Sequence, residues 1–114
     1  MPVINELITH VLQDIGDCRV FLLKPGGSNV PCRVDGFDLE TGLTTPNLME
    51  SRVNRAMVKS SSKVVAVCDS TKFGHRSLCK IVDASAIHHV ITDRNLSDST
   101  ADGLRNLGIE LTLV

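Results

Sequence analysis

Aromatic side chains are scarce: the 114 residues hold three Phe, no Tyr and no Trp. That scarcity argues against a stacking platform for single-stranded nucleic acid and against a sugar-stacking lectin surface, because each depends on exposed rings. No sign of charge prevails. Twelve Lys and Arg against thirteen Asp and Glu give a formal net charge of -1, and the basic residues are scattered. Without a positive field to gather phosphate backbones, direct contact with nucleic acid is not expected of this segment. A small anion is still within reach, since one Lys or one helix N-terminus can bind a phosphate in a neutral protein. The chain also lacks an apolar run of the ~18 residues that span a bilayer, and the basic region and cleavage site of a signal peptide, so the expectation is a cytoplasmic protein with no membrane partner.

Other absences narrow the chemistry. There is no nucleophile elbow, phosphate-binding Walker loop or dinucleotide fingerprint, and Pro25-Gly26-Gly27-Ser28 is too weak a signal to stand for one. His88 and His89 are adjacent and point to opposite faces of a strand, while His10 is remote in sequence, so no metal pattern emerges and neither metal nor cofactor is expected. Cys18, Cys32, Cys68 and Cys79 are widely spaced, three of them in apolar runs. They read as buried free thiols in preference to a metal site or a disulfide.

What is present is ordinary globular composition, 42% hydrophobic and 22% charged, at a length that suits one domain spanning residues 1–114. Val3, Ile4, Leu7, Ile8, Val11, Leu12 and Ile15 recur at spacings of three and four, which predicts a helix ended by Gly16. Cys18 to Leu23 reads as a buried strand, followed by a turn at residues 25–28. A second short strand is expected from Val30 to Phe37, placed at an edge or shortened by Pro31. Residues 38–46 read as a loop.

Asn47 with Glu50, or Thr45 with Pro46, can then start a helix whose Leu48, Met49, Val53, Ala56 and Met57 are expected to face the core. Ser60 to Ser62 stop it, and Val64 to Cys68 is a continuous apolar run of the kind found in strands covered on both faces. A short segment at Leu78 to Val82, a helical turn at Ala84 to Ala86, a strand at His88 to Thr92, a helix capped by Ser97 and a last strand at Ile109 to Val114 complete the chain. This alternation predicts an α/β fold of three layers, with a mainly parallel sheet and helices on both faces.

Ligands in such sheets bind beyond the carboxyl ends of strands. Three loops qualify: residues 34–38, residues 68–75, and Ile91-Thr92-Asp93. In the second, Lys72 is a compact cation suited to a phosphate, or else a solvated side chain beside a turn made by Asp69 and Ser70. In the first, Asp35 precedes Gly36 and could accept hydrogen bonds from sugar hydroxyls or act as a base, or simply shape an Asx turn.

The run Val34-Asp35-Gly36-Phe37-Asp38-Leu39-Glu40-Thr41-Gly42-Leu43-Thr44-Thr45, followed by Glu50, Asn54, Arg55 and Met57, resembles the C-terminal sensor domain of DeoR-type transcriptional regulators of sugar metabolism, especially the amino-sugar branch. Asp69-Ser70-Thr71-Lys72-Phe73-Gly74, then Leu78, Ile81, Ile87, Ile91-Thr92-Asp93 and Gly108-Ile109-Glu110-Leu111, continue the likeness in the same order. The resemblance is strong from residue 34 onward. It implies a fold related to ribose phosphate isomerase and glucosamine phosphate deaminase, a phosphorylated-sugar effector, and a regulatory rather than an enzymatic role. By position it carries over Asp35, Glu50 and Lys72 as effector-binding residues, with Thr44, Thr45 and Asn54 as pocket neighbours.

Against that pattern the winged-helix DNA-binding domain is not found in these residues, nor is the strand and phosphate loop that open the family's sensor. The stretch from Ser28 to Arg33 replaces a further helix and strand. The expectation is a shortened sensor whose exposed edges favour self-association or pairing with a full-length regulator. A small sugar-phosphate isomerase or deaminase, using Asp35, Glu50 and Lys72 as acid-base groups, is the enzymatic alternative. A stand-alone interaction fragment is the third.

Overall fold

The computed structural model describes residues 18–114; the helix expected at residues 2–15 lies outside them. The protein is α/β. β1 (Cys18–Leu23), β2 (Asn29–Val34), β5 (Lys63–Cys68), β7 (His89–Thr92) and β8 (Glu110–Leu113) form a five-stranded sheet in the order β2-β1-β5-β7-β8. A second, three-stranded sheet has the order β3-β4-β6, from β3 (Gly36–Asp38), β4 (Gly42–Thr45) and β6 (Cys79–Val82). The helices are α1 (Leu48–Lys59) and α2 (Asp98–Asn106).

The large sheet is mixed rather than mainly parallel, which corrects the expectation. β5, β7 and β8 run parallel, but β1 is antiparallel to both β2 and β5. The reason is the short link between β1 and β2. Residues 24–28 close a turn, with Lys24 N–H donating to Ser28 O and Gly27 N–H to Lys24 O, and so few residues can only return the chain as a hairpin, because a parallel crossover needs a dozen or more. Pro31 sits on β2 at the sheet edge, where a missing N–H is tolerated.

The loop expected at 38–46 is instead a tight hairpin. Asp38 Oδ2 accepts from the Glu40 and Thr41 N–H groups and turns the chain, and Gly42, at φ +78, begins β4. A Cβ on Gly42 would fall 2.1 Å from Val82 O, so the close approach of β4 to β6 requires glycine there. All four residues of β4 are buried.

β5 shows why its sequence reads as a continuous apolar run. Val64, Ala66 and Cys68 belong to the main core with Val20, Leu22, Phe37, Leu43, Ile81 and Val90, whereas Val65 and Val67 join Phe21 and Ile91 in a smaller cluster. Side chains alternate across a strand, so the two clusters occupy opposite faces of the sheet. Val58 of α1 and Ala101 and Leu104 of α2 both fall in the main cluster. Among the described residues, therefore, helices lie on one face of the sheet, not both.

Cys18 and Cys68 stand directly opposite each other on β1 and β5 and are joined as a disulfide. Cys32 and Cys79 are free thiols. The expectation of four free thiols is corrected by the antiparallel register, which sets the two side chains on the same face.

Helix α1 departs from its expected orientation. Asn47 caps it, its side chain accepting from Glu50 N–H, and Lys24 Nζ reaches Met57 O at its last turn. Ser51 and Val58 are its buried residues, while Leu48, Met49 and Val53 remain 54%, 66% and 55% exposed. The face that turns inward carries Arg55, whose Nε and Nη2 donate to Ile81 O at 2.8 Å and Lys80 O at 2.7 Å. These bonds tie α1 to β6.

Candidate functional site

Glu50, Asn54 and Met57 recur at i, i+4 and i+7, which places them on one face of α1. Together with Pro31, Cys32 and Arg33 of β2 and with Asp35, they line a cavity of about 240 Å³ between helix and strand. Asp35 follows the end of β2, and its N–H donates to Thr44 O at 3.0 Å, fixing its backbone against β4. Thr45 Oγ1 lies 3.2 Å from Asp35 Oδ2 and 3.3 Å from Glu50 Oε2. A hydroxyl has one hydrogen to donate, so Thr45 can satisfy one carboxylate at a time, and the other keeps an acceptor for solvent or a ligand. Both carboxylate residues are exposed, while Thr45 is buried. The arrangement can receive hydroxyl or ammonium donors.

The Cys32 thiol on the same wall is pushed up by burial, and the negative charge of Glu50 acts in the same direction. It is held as a neutral thiol and is a poor nucleophile.

Thr44 and Thr45 are neighbours on a strand and point to opposite sides. Thr44 Oγ1 accepts from Ser77 N–H at 2.9 Å, pinning the segment before β6. It is a packing residue, apart from the carboxylates. A Cβ on Gly36 would come 2.3 Å from Thr44 Oγ1 and 2.6 Å from His75 O, so this glycine lets three segments meet.

Lys72 closes a single 3₁₀ turn, Ser70–Lys72. Asp69 caps that turn by accepting from Thr71 N–H at 2.9 Å. Asp93, beyond β7, accepts from Ser70 N–H at 2.6 Å and from Ser70 Oγ at 2.8 Å. Burial alone would push the Asp93 carboxyl up, but the Ser70 backbone and hydroxyl donors, with Asn95 N–H, together hold it below the ordinary aspartate value. The loops that follow the parallel strands β5 and β7 are thus clamped to each other. Lys72 is half-buried and does not line the cavity at Glu50. Its loop nonetheless runs alongside the Asp35 segment. Phe37 and Phe73 form a parallel bridge, their ring centroids are 4.8 Å apart, and Gly74 N–H donates to Phe37 O.

Of the six residues singled out from sequence, the structure brings Asp35, Thr45 and Glu50 into one cluster with Asn54 on its wall, and sets Thr44 and Lys72 apart from it. Sequence reasoning missed Cys32 and Arg33 as wall residues and Ser70 as the partner of Asp93. Alternation along β2 gave no signal for the first two together, since it sets Cys32 and Arg33 on opposite faces. Met57, expected to face the core, does pack against it and also lines the cavity wall. Among the described residues no group of three or more His, Cys, Asp or Glu could hold a metal ion, and no helix is long and apolar enough to cross a membrane.

Residues 31–94 match the family of the DeoR C terminal sensor domain, and the chain belongs to that family. Its similar proteins include an aga operon transcriptional repressor of Escherichia coli O157:H7, so described, at 41% identity over 81 residues, which cover 71% of this chain and 30% of that protein. The HTH-type transcriptional regulator GlpR of Haloferax volcanii is 36% identical over 75 residues, 66% of this chain and 29% of its own. The regulator GolR of Listeria innocua is 32% identical over 78 residues, 68% and 31% respectively. The matched segments thus span about 30% of the length of these relatives.

Proposed function

We propose that this chain is the effector-binding part of a DeoR-type transcriptional regulator, a repressor of sugar or amino-sugar catabolism genes, and that its effector is a phosphorylated sugar. The observation that carries the reading is the Asp35–Thr45–Glu50 cluster beside its cavity. Two carboxylates sharing one donor leave acceptors that suit sugar hydroxyls or the ammonium of an amino sugar. Lys72, on the loop alongside Asp35, is the cation offered to the phosphate.

The role is regulatory and not enzymatic. The relatives are described as transcriptional regulators, and kinship at the level of fold does not establish turnover. DNA contact belongs to a winged-helix domain, not to these residues. Exposed Leu48, Met49 and Val53 support self-association through α1. A two-fold pairing of the same stripe is its simplest occupant.

Thermal unfolding in the presence of phosphorylated hexoses and amino sugars tests the proposal. An effector at 100 times its dissociation constant adds about 2.7 kcal/mol of stability. The expected result is one sugar phosphate that stabilises the protein, with the gain reduced in Glu50→Gln and in Lys72→Ala. If no sugar phosphate stabilises the protein, effector sensing by this chain is wrong, and pairing with full-length regulators becomes the reading to pursue.

A further inference from the structure

A second cavity, of about 510 Å³, opens at the other end of β5. Asp35 lies near the Cys68 end of that strand, through the pairing of Val34 with Cys18 and of Cys18 with Cys68, whereas this cavity is built around Val64. It shares no lining residue with the cavity at Glu50. Its volume falls in the ~300–1,000 Å³ range of small-molecule sites.

Val82 and Ala86, both partly exposed above the buried Val64 and Ile81, form an apolar floor, and Arg55, Lys59, Lys80 and His88 contribute to the walls. The charges do not balance. Lys80 pairs with Asp83, the only carboxylate among the lining residues. Arg55 spends Nε and Nη2 on two neutral backbone carbonyls, and among the described residues neither Arg55 nor Lys59 has an ion pair.

His88 adds a donor. Val64 N–H donates to its Nδ1 at 2.9 Å, so in the neutral ring the hydrogen sits on Nε2. The site therefore presents cations and N–H donors above apolar side chains, with one carboxylate already engaged. Cations gathered in this way attract an anion, most strongly at low ionic strength.

We infer that this cavity is a binding site for a small organic anion, a phosphate or carboxylate joined to an apolar group. The head group meets Arg55, Lys59, Lys80 and the His88 Nε2–H, and the apolar part covers Val82 and Ala86. Inorganic phosphate has the charge without the apolar part and binds less tightly.

Phenyl phosphate, compared with inorganic phosphate, is the probe. The amide resonances of the protein are followed by NMR at low ionic strength, in the wild type and in Lys59→Ala/Lys80→Ala, whose two side chains are exposed enough to leave the fold intact. The expected result is saturable shifts centred on Val82, Ala86 and His88, tighter for phenyl phosphate, weakened at least about fivefold in the double variant and weakened by added salt. The inference is overturned if shifts are absent, if they centre on Asp35 and Glu50 instead, or if the double variant binds as tightly as the wild type.

Discussion

Replacing Asp93 by Asn keeps the size of the side chain and removes the charge that clamps the Lys72 loop to β7. The native carboxylate accepts three hydrogen bonds, from Ser70 N–H, Ser70 Oγ and Asn95 N–H. A hydrogen bond to a charged group contributes about 1.5–3 kcal/mol. Because Asp93 is only half-buried and the amide keeps one acceptor, the expected loss at pH 7 is about 2–4 kcal/mol in all. The carboxyl is held below its ordinary value when folded, so its contribution is complete above the unfolded value of about 3.9 and is lost as pH falls through the lowered native value. With no Tyr or Trp to report, urea unfolding is followed by far-ultraviolet circular dichroism. The difference between wild type and Asp93→Asn should be constant from neutral pH down to about 5 and shrink towards zero in strong acid. A loss under about 0.5 kcal/mol at pH 7, or a loss independent of pH, would show that the Ser70–Asp93 clamp does not hold the loops.

His89 is buried, and burial lowers its pKa, with Lys63 adding to the effect and Glu110 opposing it. Stability is therefore complete above the unfolded value of about 6.5 and falls as pH drops below it, at up to about 1.4 kcal/mol per unit, until the native value is passed. In His89→Gln that part of the profile should vanish, and a profile between pH 7 and 5 that is the same in both proteins rules the assignment out. Val53→Glu places a charge in the exposed stripe of α1. Sedimentation equilibrium should show the wild type associating as its concentration rises and the variant monomeric, and a monomeric wild type removes the case for self-association through this helix.

Much of the frame was legible because the signals were local. The two-faced burial of β5 is written in Val64 to Cys68, the α1 start in Asn47 and Glu50, and the edge position of β2 in Pro31. The elements that escaped depend on distant partners. β4 looks like a polar loop because Thr44 and Thr45 carry hydroxyls, yet both are buried, each with a partner far along the chain or across a turn. The Cys18–Cys68 bridge required knowing that β1 lies antiparallel to β5. The orientation of α1 is not written in its sequence, because an apolar stripe says that a face is suited to burial, not what will bury it. The face that turns inward instead carries Ser51, Val58 and Arg55, the last bonded to the Ile81 and Lys80 carbonyls.

That orientation gives α1 three distinct surfaces. Glu50, Asn54 and Met57 line the candidate effector cavity, Arg55 and Val58 contribute to the cavity beside β6, and Leu48, Met49 and Val53 face outward. Twelve residues of helix move as one rigid element far more readily than they deform. Any ligand that donates to Glu50 or fills the β6 cavity acts on the same rod that carries the outward stripe. If the helix takes one position when it binds effector and another when it associates, the two events share a coupling free energy, and thermodynamic linkage makes that coupling reciprocal. Effector affinity would then depend on protein concentration in the wild type and lose that dependence in Val53→Glu.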